Sequence, residues 1–125
     1  MAEKWNVSGT VRSAANYSSV QGVKSVIIGD VSAATDWGAD LQGIDTVVHL
    51  AARVHVMKDS SAEPLQAYRE VNVHGTERLA RQAADAGVNR FILLSTVKVN
   101  GEENRKAYTE SDRPFPMDSY GISKM

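Results

Sequence analysis

Tyr120 and Lys124 stand four residues apart in the run Tyr120-Gly121-Ile122-Ser123-Lys124. On a helix that spacing stacks the two side chains on one face. An ammonium beside a phenol favours the phenolate and draws a tyrosine below its usual pKa of about 10. Such a pair can pass a proton to or from a carbonyl or alcohol oxygen. The chain has 4 Tyr and 14 Lys and Arg, so one such pair arises readily by chance, and its meaning depends on what positions it. The other side chains narrow the chemistry. With 0 Cys there is no disulfide framework, thiolate metal site or cysteine nucleophile. His55 and His74 have no carboxylate or imidazole at metal-ligand spacing, so no metal is expected. His49 lies in an apolar run and reads as a hydrogen-bonded core histidine rather than a ligand.

The elements that must hold the pair follow from the pattern of apolar residues. Residues 5–11 alternate and are rich in β-branched side chains, which predicts a strand. A polar, turn-like stretch covers 13–21, and a second strand is predicted over 23–28, closed by Gly29-Asp30. Residues 33–41 read as a short helix. Residues 45–51 form a third strand whose nearly continuous apolar run predicts burial on both faces, as in a parallel sheet. After a loop over 53–61 comes a long helix over about 62–86, with Pro64 in its first turn and Gly87 as its stop. Leu65, Tyr68, Val71, Leu79 and Ala83 recur on it at helical spacing. A fourth strand is predicted over 90–95 and a polar loop over 97–117, and a last helix begins near Asp118 or Ser119 and carries the Tyr/Lys pair. Strands alternating with helices predict βαβ units, a parallel sheet and an α/β fold.

Composition agrees. At 125 residues the length fits one domain, and 42% hydrophobic with 23% charged residues is ordinary for a globular protein. The net charge of -1 leaves no basic stripe for nucleic acid. No apolar signal core and no 18-residue apolar run occurs, so no membrane partner is expected and a soluble cytoplasmic protein is.

Five stretches then resemble the extended short-chain dehydrogenase/reductase family, of the NAD-dependent epimerase/dehydratase type. They are Gly29-Asp30-Val31, Val48-His49-Leu50-Ala51-Ala52, Asn72-Val73-His74-Gly75-Thr76, Leu94 to Gly101, and Pro116 to Lys124. They occur in the family's order and spacing and span nearly the whole chain. Within the family the chain is most similar to nucleotide-sugar 4-epimerases and 4-ketoreductases. The resemblance implies a partial doubly wound, Rossmann-like parallel sheet, NAD or NADP as cofactor and a nucleotide sugar as substrate, and it admits a homodimer. It implies Tyr120 as the acid/base, Lys124 as the group that tunes it and holds the nicotinamide ribose, and Thr96 as a hydroxyl on the same substrate oxygen. Lys98 and Asn100 fall beside Thr96 on the substrate side. Asp30 and Val31 fall at the adenine, and Leu50, Ala51 and Ala52 along the dinucleotide cleft, where ligands of such sheets bind. Asn72 falls where the family supports its site from the long helix. Bland readings stand beside these: Thr96 as a strand-end hydroxyl, Asp30 as a turn residue, Asn72 as a helical Asn bonding backbone.

Four departures qualify the resemblance. The family opens on a strand and a Gly-x-x-Gly-x-x-Gly turn that cradles the pyrophosphate, and the 9 Gly of this chain do not supply that turn. The chain reads as an internal fragment that starts at the family's second strand, so the central first strand is missing between strands one and three, which are expected not to pair. The substrate domain that follows Lys124 in the family is absent, so the 125 residues alone are expected to be inactive. Val97-Lys98 stands where the dehydratases place Asp-Glu, which argues against dehydration. Arg12, rather than an acidic residue, ends the first strand; it leans toward the 2′-phosphate of NADP or is merely solvated. Two other readings remain open: a non-catalytic nucleotide-binding remnant, and an NADP-dependent ketone reductase of the same superfamily.

Overall fold

The β-branched runs of the first 31 residues form a parallel pair in the computed structural model, which describes residues 5–16, 22–54 and 63–125. β1 (Val7–Val11) pairs with β2 (Val23–Ile27) in register Val7↔Val23 through Val11↔Ile27. A 3-10 turn at Ala14–Asn16 begins the connection. Beyond β2 the ladder is prolonged by one bond from the Ile28 amide to the Val11 carbonyl at 3.0 Å. Gly29, at φ 74, then turns the chain through a backbone region that side chains disfavour. These elements belong to one compact unit, Met1–Val31, and the remainder forms a second, Ser32–Met125.

The second unit is a single crossover. β3 (Thr46–His49) pairs in parallel with β4 (Arg90–Leu93), His49 opposite Leu93. Parallel neighbours need a long connection, and here it is helical. Pro64 opens α1 (Pro64–Arg69); a π turn (Glu70–Gly75) and α2 (Thr76–Asp85) follow without a break. The predicted long helix is thus present, but with a wide turn at its middle. Its buried stripe is Tyr68, Asn72, Gly75, Leu79 and Ala83, so Asn72 takes a core position. Gly87 ends α2 at φ 79, and the amides of Gly87 and Val88 bond back to the carbonyls of Ala84 and Ala83 at 3.1 and 2.9 Å. That is the Schellman arrangement that satisfies orphan carbonyls.

Residues 33–41 are not a helix but a series of turns. Short polar side chains there capture the backbone that a helix would use. Ser32 receives the Ala34 amide at 3.1 Å, Thr35 the Ser32 amide at 2.9 Å and Asp36 the Gly38 amide at 3.0 Å. Trp37 and Leu41 are buried and anchor the segment. Polar side chains of α2 complete it: Gln82 accepts from the Trp37 amide at 2.7 Å, and Arg78 donates to the Thr35 carbonyl at 3.2 Å.

Among the described residues, β1 and β2 form one two-stranded sheet within the first unit, and β3 and β4 form another within the second. On the β3-β4 sheet, Val48 and Ile92 face each other in register and are 54% and 44% exposed, so one face of this parallel pair is open. The predicted burial of β3 on both faces therefore holds only for the His49 side. After β4 comes a 3-10 turn (Val97–Val99), a polar loop, and α3 (Ser119–Lys124), which packs on that turn, on α1 and on the π turn. Among the described residues no helix is long and apolar enough to cross a membrane.

Candidate functional site

Asp118 sets the start of α3. It is the N-cap, and its Oδ1 accepts from the Gly121 amide at 2.6 Å. Its other oxygen, Oδ2, accepts from Lys98 Nζ at 2.7 Å, and Glu102 holds the same ammonium at 3.0 Å. These carboxylate bonds, that of Asp118 first, raise the Lys98 pKa above its usual value. Lys98 therefore spans the 97–99 turn and the cap of α3. Thr96 caps the same turn, its Oγ1 accepting from the Lys98 amide at 3.3 Å. Asn100 donates to the Asp112 carbonyl at 3.3 Å and pins the polar loop.

α3 then carries its two ionisable groups inward. Tyr120 is half-buried, with its ring centroid 6.3 Å from that of Tyr68 at a 50° tilt. The Arg53 guanidinium lies 5.4 Å above the Tyr68 ring, within cation–π range. Lys124 is only 9% exposed, and burial holds its pKa below the usual lysine value. His49, at the end of β3, is also buried; its Nε2 is 3.0 Å from Thr76 Oγ1 and its ring faces Phe91 at 6.3 Å. Burial, and secondarily the charge of Lys124, lowers the His49 pKa. His49 is thus the hydrogen-bonded core histidine its strand position predicts. His74 lies on the π turn, and His55 is outside the described residues. Among the described residues no cluster of three or more metal-ligating side chains occurs.

Asn72 joins these parts. The π turn places it in the core, 5% exposed. Its Oδ1 accepts from the Arg53 amide at 2.8 Å, and its Nδ2 donates to the Arg53 carbonyl at 3.0 Å and to Ser123 Oγ at 2.8 Å. One side chain therefore fixes the segment after β3 and grips α3. Wide π turns of this kind often occur at functional sites. Leu50 and Ala51 are exposed at the carboxyl end of β3, with Ala52 half-buried behind them. A cavity of about 250 Å³ opens beside Asn72, Thr76, Ser123 and Lys124.

The structure thus gathers Tyr120, Lys124, Asn72 and the segment Leu50–Ala52 into one neighbourhood of the second unit. Arg12 and Asp30 lie in the first unit and form an ion pair at 2.8 Å, both largely exposed, with Val31 ending that unit. A guanidinium that already faces a carboxylate is a poorer partner for a 2′-phosphate. Reading the sequence residue by residue left out Ser123, Arg53 and Tyr68. Ser123 carried a signal in its place between Tyr120 and Lys124, but Arg53 and Tyr68 are visible only once the helix and the segment after β3 meet.

These features define a class: a parallel α/β chain with a tyrosine and a buried lysine on a helix beside the carboxyl end of the β3-β4 pair. A family model, the NAD dependent epimerase/dehydratase family, matches residues 1–125, and the chain belongs to this family. The UDP-glucose 4-epimerase of Vibrio cholerae is 50% identical over 99 residues, which are 78% of this chain and 30% of that relative. The dTDP-glucose 4,6-dehydratase of Streptomyces griseus is 38% identical over 84 residues, 67% of this chain and 25% of the relative. Among solved structures, MoeE5 in complex with UDP-glucuronic acid and NAD aligns with a TM-score of 0.78 at 29% identity, over 95% of this chain and 38% of that one. DesIV, a dTDP-glucose 4,6-dehydratase from Streptomyces venezuelae with NAD and TYD bound, gives 0.68 at 36% identity over 82% and 31%. The chain therefore spans between 25% and 38% of the length of these relatives.

Proposed function

We propose that this chain is the acid/base portion of an NAD-dependent nucleotide-sugar 4-epimerase or 4-ketoreductase. The observation that carries the reading is the Asn72 clamp. It joins the backbone after β3, where a dinucleotide lies in such sheets, to the helix bearing Tyr120 and Lys124. NAD, when bound, accepts and returns a hydride at a sugar carbon. Tyr120 takes the proton from the sugar hydroxyl and gives it back. Lys124, buried one turn further along α3, supplies positive charge and holds the ribose, and Thr96 donates a hydrogen bond to the sugar oxygen. Asn100 and Lys98 frame the substrate side by ordering the loop and the cap of α3.

The residues fit the nicotinamide half of the cofactor. After β3, Leu50 presents its backbone and Ala51 and Ala52 their backbone and small side chains, and Asn72 holds the Arg53 backbone by two hydrogen bonds. The chain contains no glycine-rich turn for the pyrophosphate, so the 125 residues offer a partial cofactor site. NAD is preferred to NADP in this reading, since Arg12 is paired with Asp30. Epimerisation or ketoreduction is preferred to dehydration. Val97 has no ionisable group, and Lys98 is held by Asp118 and Glu102.

The test is a chimera in which this chain replaces the matching segment of the Vibrio cholerae relative. Incubation with UDP-glucose and NAD is followed by NMR. Interconversion with UDP-galactose is the expected result. A 4-keto-6-deoxy sugar product would replace the reading with a dehydratase, and a folded chimera with neither product would reject it.

A further inference from the structure

We infer that Ser123 is a positioning residue: its hydroxyl ties the turn of α3 that carries Tyr120 to the backbone after β3, with Asn72 as the link. The inference deepens the proposed function and rests on it for the role of Tyr120.

Ser123 is 4% exposed, and its hydroxyl makes two bonds. Oγ lies 2.8 Å from the Tyr120 carbonyl and 2.8 Å from Asn72 Nδ2. A carbonyl only accepts and an amide nitrogen only donates, so both directions are fixed. The hydroxyl hydrogen goes to Tyr120, and the oxygen receives Asn72. The rest of the Asn72 carboxamide is committed to Arg53, by its Oδ1 at 2.8 Å and its second Nδ2 hydrogen at 3.0 Å. Turning the amide over would set oxygen against the Arg53 carbonyl, so the network itself assigns its orientation. The result is a continuous hydrogen-bonded path, Arg53 to Asn72 to Ser123 to Tyr120. It runs from the end of β3 to the turn that holds the phenol.

Many buried helical serines only bond back to a carbonyl in the preceding turn. Ser123 differs because its second bond reaches a side chain 51 residues away in sequence. An alanine at 123 leaves a buried Asn72 N–H without a partner and frees the carboxamide to rotate. The Arg53 clamp and the placement of the Tyr120 turn then loosen together. A misplacement of about 1 Å at a reacting group can cost about 100-fold in rate, so this tie bears on catalysis without touching substrate.

The test uses the 125-residue chain, labelled with 15N and with 13C-tyrosine, and compares wild type, Ser123→Ala and Ser123→Thr by NMR. Expected in Ser123→Ala is a rise of about 10-fold or more in hydrogen exchange at the Arg53 amide, with displaced Tyr120 ring signals. The Leu79 and Ala83 amides of α2 stay within about 2-fold. Ser123→Thr keeps the hydroxyl and returns both reporters toward wild type. Should Ser123→Ala fail to fold, Ser123→Cys, a weak donor and acceptor, gives the same pattern at lower amplitude. Unchanged Arg53 exchange and Tyr120 signals overturn the inference. So does a uniform rise across α2, which would make Ser123 merely stabilising. No cofactor or sugar is added, so this outcome is read separately from that of the chimera.

Discussion

A side-chain carbon at Gly121 would stand 2.7 Å from the backbone carbonyl of Lys98 and 3.1 Å from Pro116 Cβ. Gly121 is the residue after Tyr120, so the turn that carries Tyr120 approaches the 97–99 turn as closely as a missing side chain allows. Gly121→Ala must push backbone from backbone, since the obstructing atom is not the end of a flexible side chain. We expect a loss of stability on the order of 1–3 kcal/mol, as for overpacking elsewhere. In the chimera we expect a fall in kcat larger than any rise in KM, because Tyr120 moves with the helix. Urea denaturation and steady-state kinetics check the two parts. A variant with unchanged midpoint and kcat would mean that α3 shifts without cost.

His49 predicts a pH dependence. Burial and Lys124 lower its folded pKa below the usual histidine value of 6.5. Between that folded pKa and 6.5 the unfolded chain binds more protons, so stability rises with pH there and falls as the solution is acidified. Below the folded pKa the full penalty applies. His49→Gln keeps a group able to hydrogen-bond Thr76 and removes the titration. Thermal melts at pH 7.5 and pH 5.0 should show a smaller acid-induced drop in His49→Gln than in wild type. Equal drops would assign the acid sensitivity to other groups.

Much of the architecture was legible in the sequence because continuous apolar runs and punctuation by Pro64 and Gly87 are local signals. The four strands lie where the runs predict, shortened at their ends, and Asp118 starts α3 as its short polar side chain implies. The helix predicted over 33–41 failed for a local reason the pattern conceals: Ser32, Thr35 and Asp36 captured backbone amides, and α2 supplied the remaining partners. The π turn was not read from the sequence: Val71, Asn72, Val73 and Gly75 are poor helix formers, but low propensity does not specify a wider turn, which shows in the structure as the burial of Asn72. For the site, spacing singled out Tyr120 and Lys124, but a pair at that spacing arises readily by chance, and the resemblance of the surrounding stretches is what gave it meaning. The bonds of Asn72 to Arg53 and Ser123 join residues 19 and 51 positions apart and depend on how three elements meet.

The partial cofactor site predicts weak binding by the chain as given. Contacts at Lys124, Tyr120 and the segment after β3 must offset the ordering of a flexible dinucleotide without help at the pyrophosphate. We expect calorimetry with NADH or NADPH to give a dissociation constant no tighter than about 1 mM, equivalent to about 4 kcal/mol. A micromolar constant for either would show that other residues of this chain complete the site.

The central claim is that Tyr120 moves the proton, and the most direct measurement is turnover of the chimera with Tyr120→Phe, beside Thr96→Ala. The phenol oxygen serves the chemical step more than the ground-state complex. Tyr120→Phe should therefore abolish interconversion of UDP-glucose and UDP-galactose while NAD stays bound at nearly the parent affinity. Thr96→Ala removes one hydrogen bond rather than the proton carrier and should lose about 10–1000-fold. Retention of most of kcat by the Tyr120→Phe chimera, with NAD bound, would contradict the account.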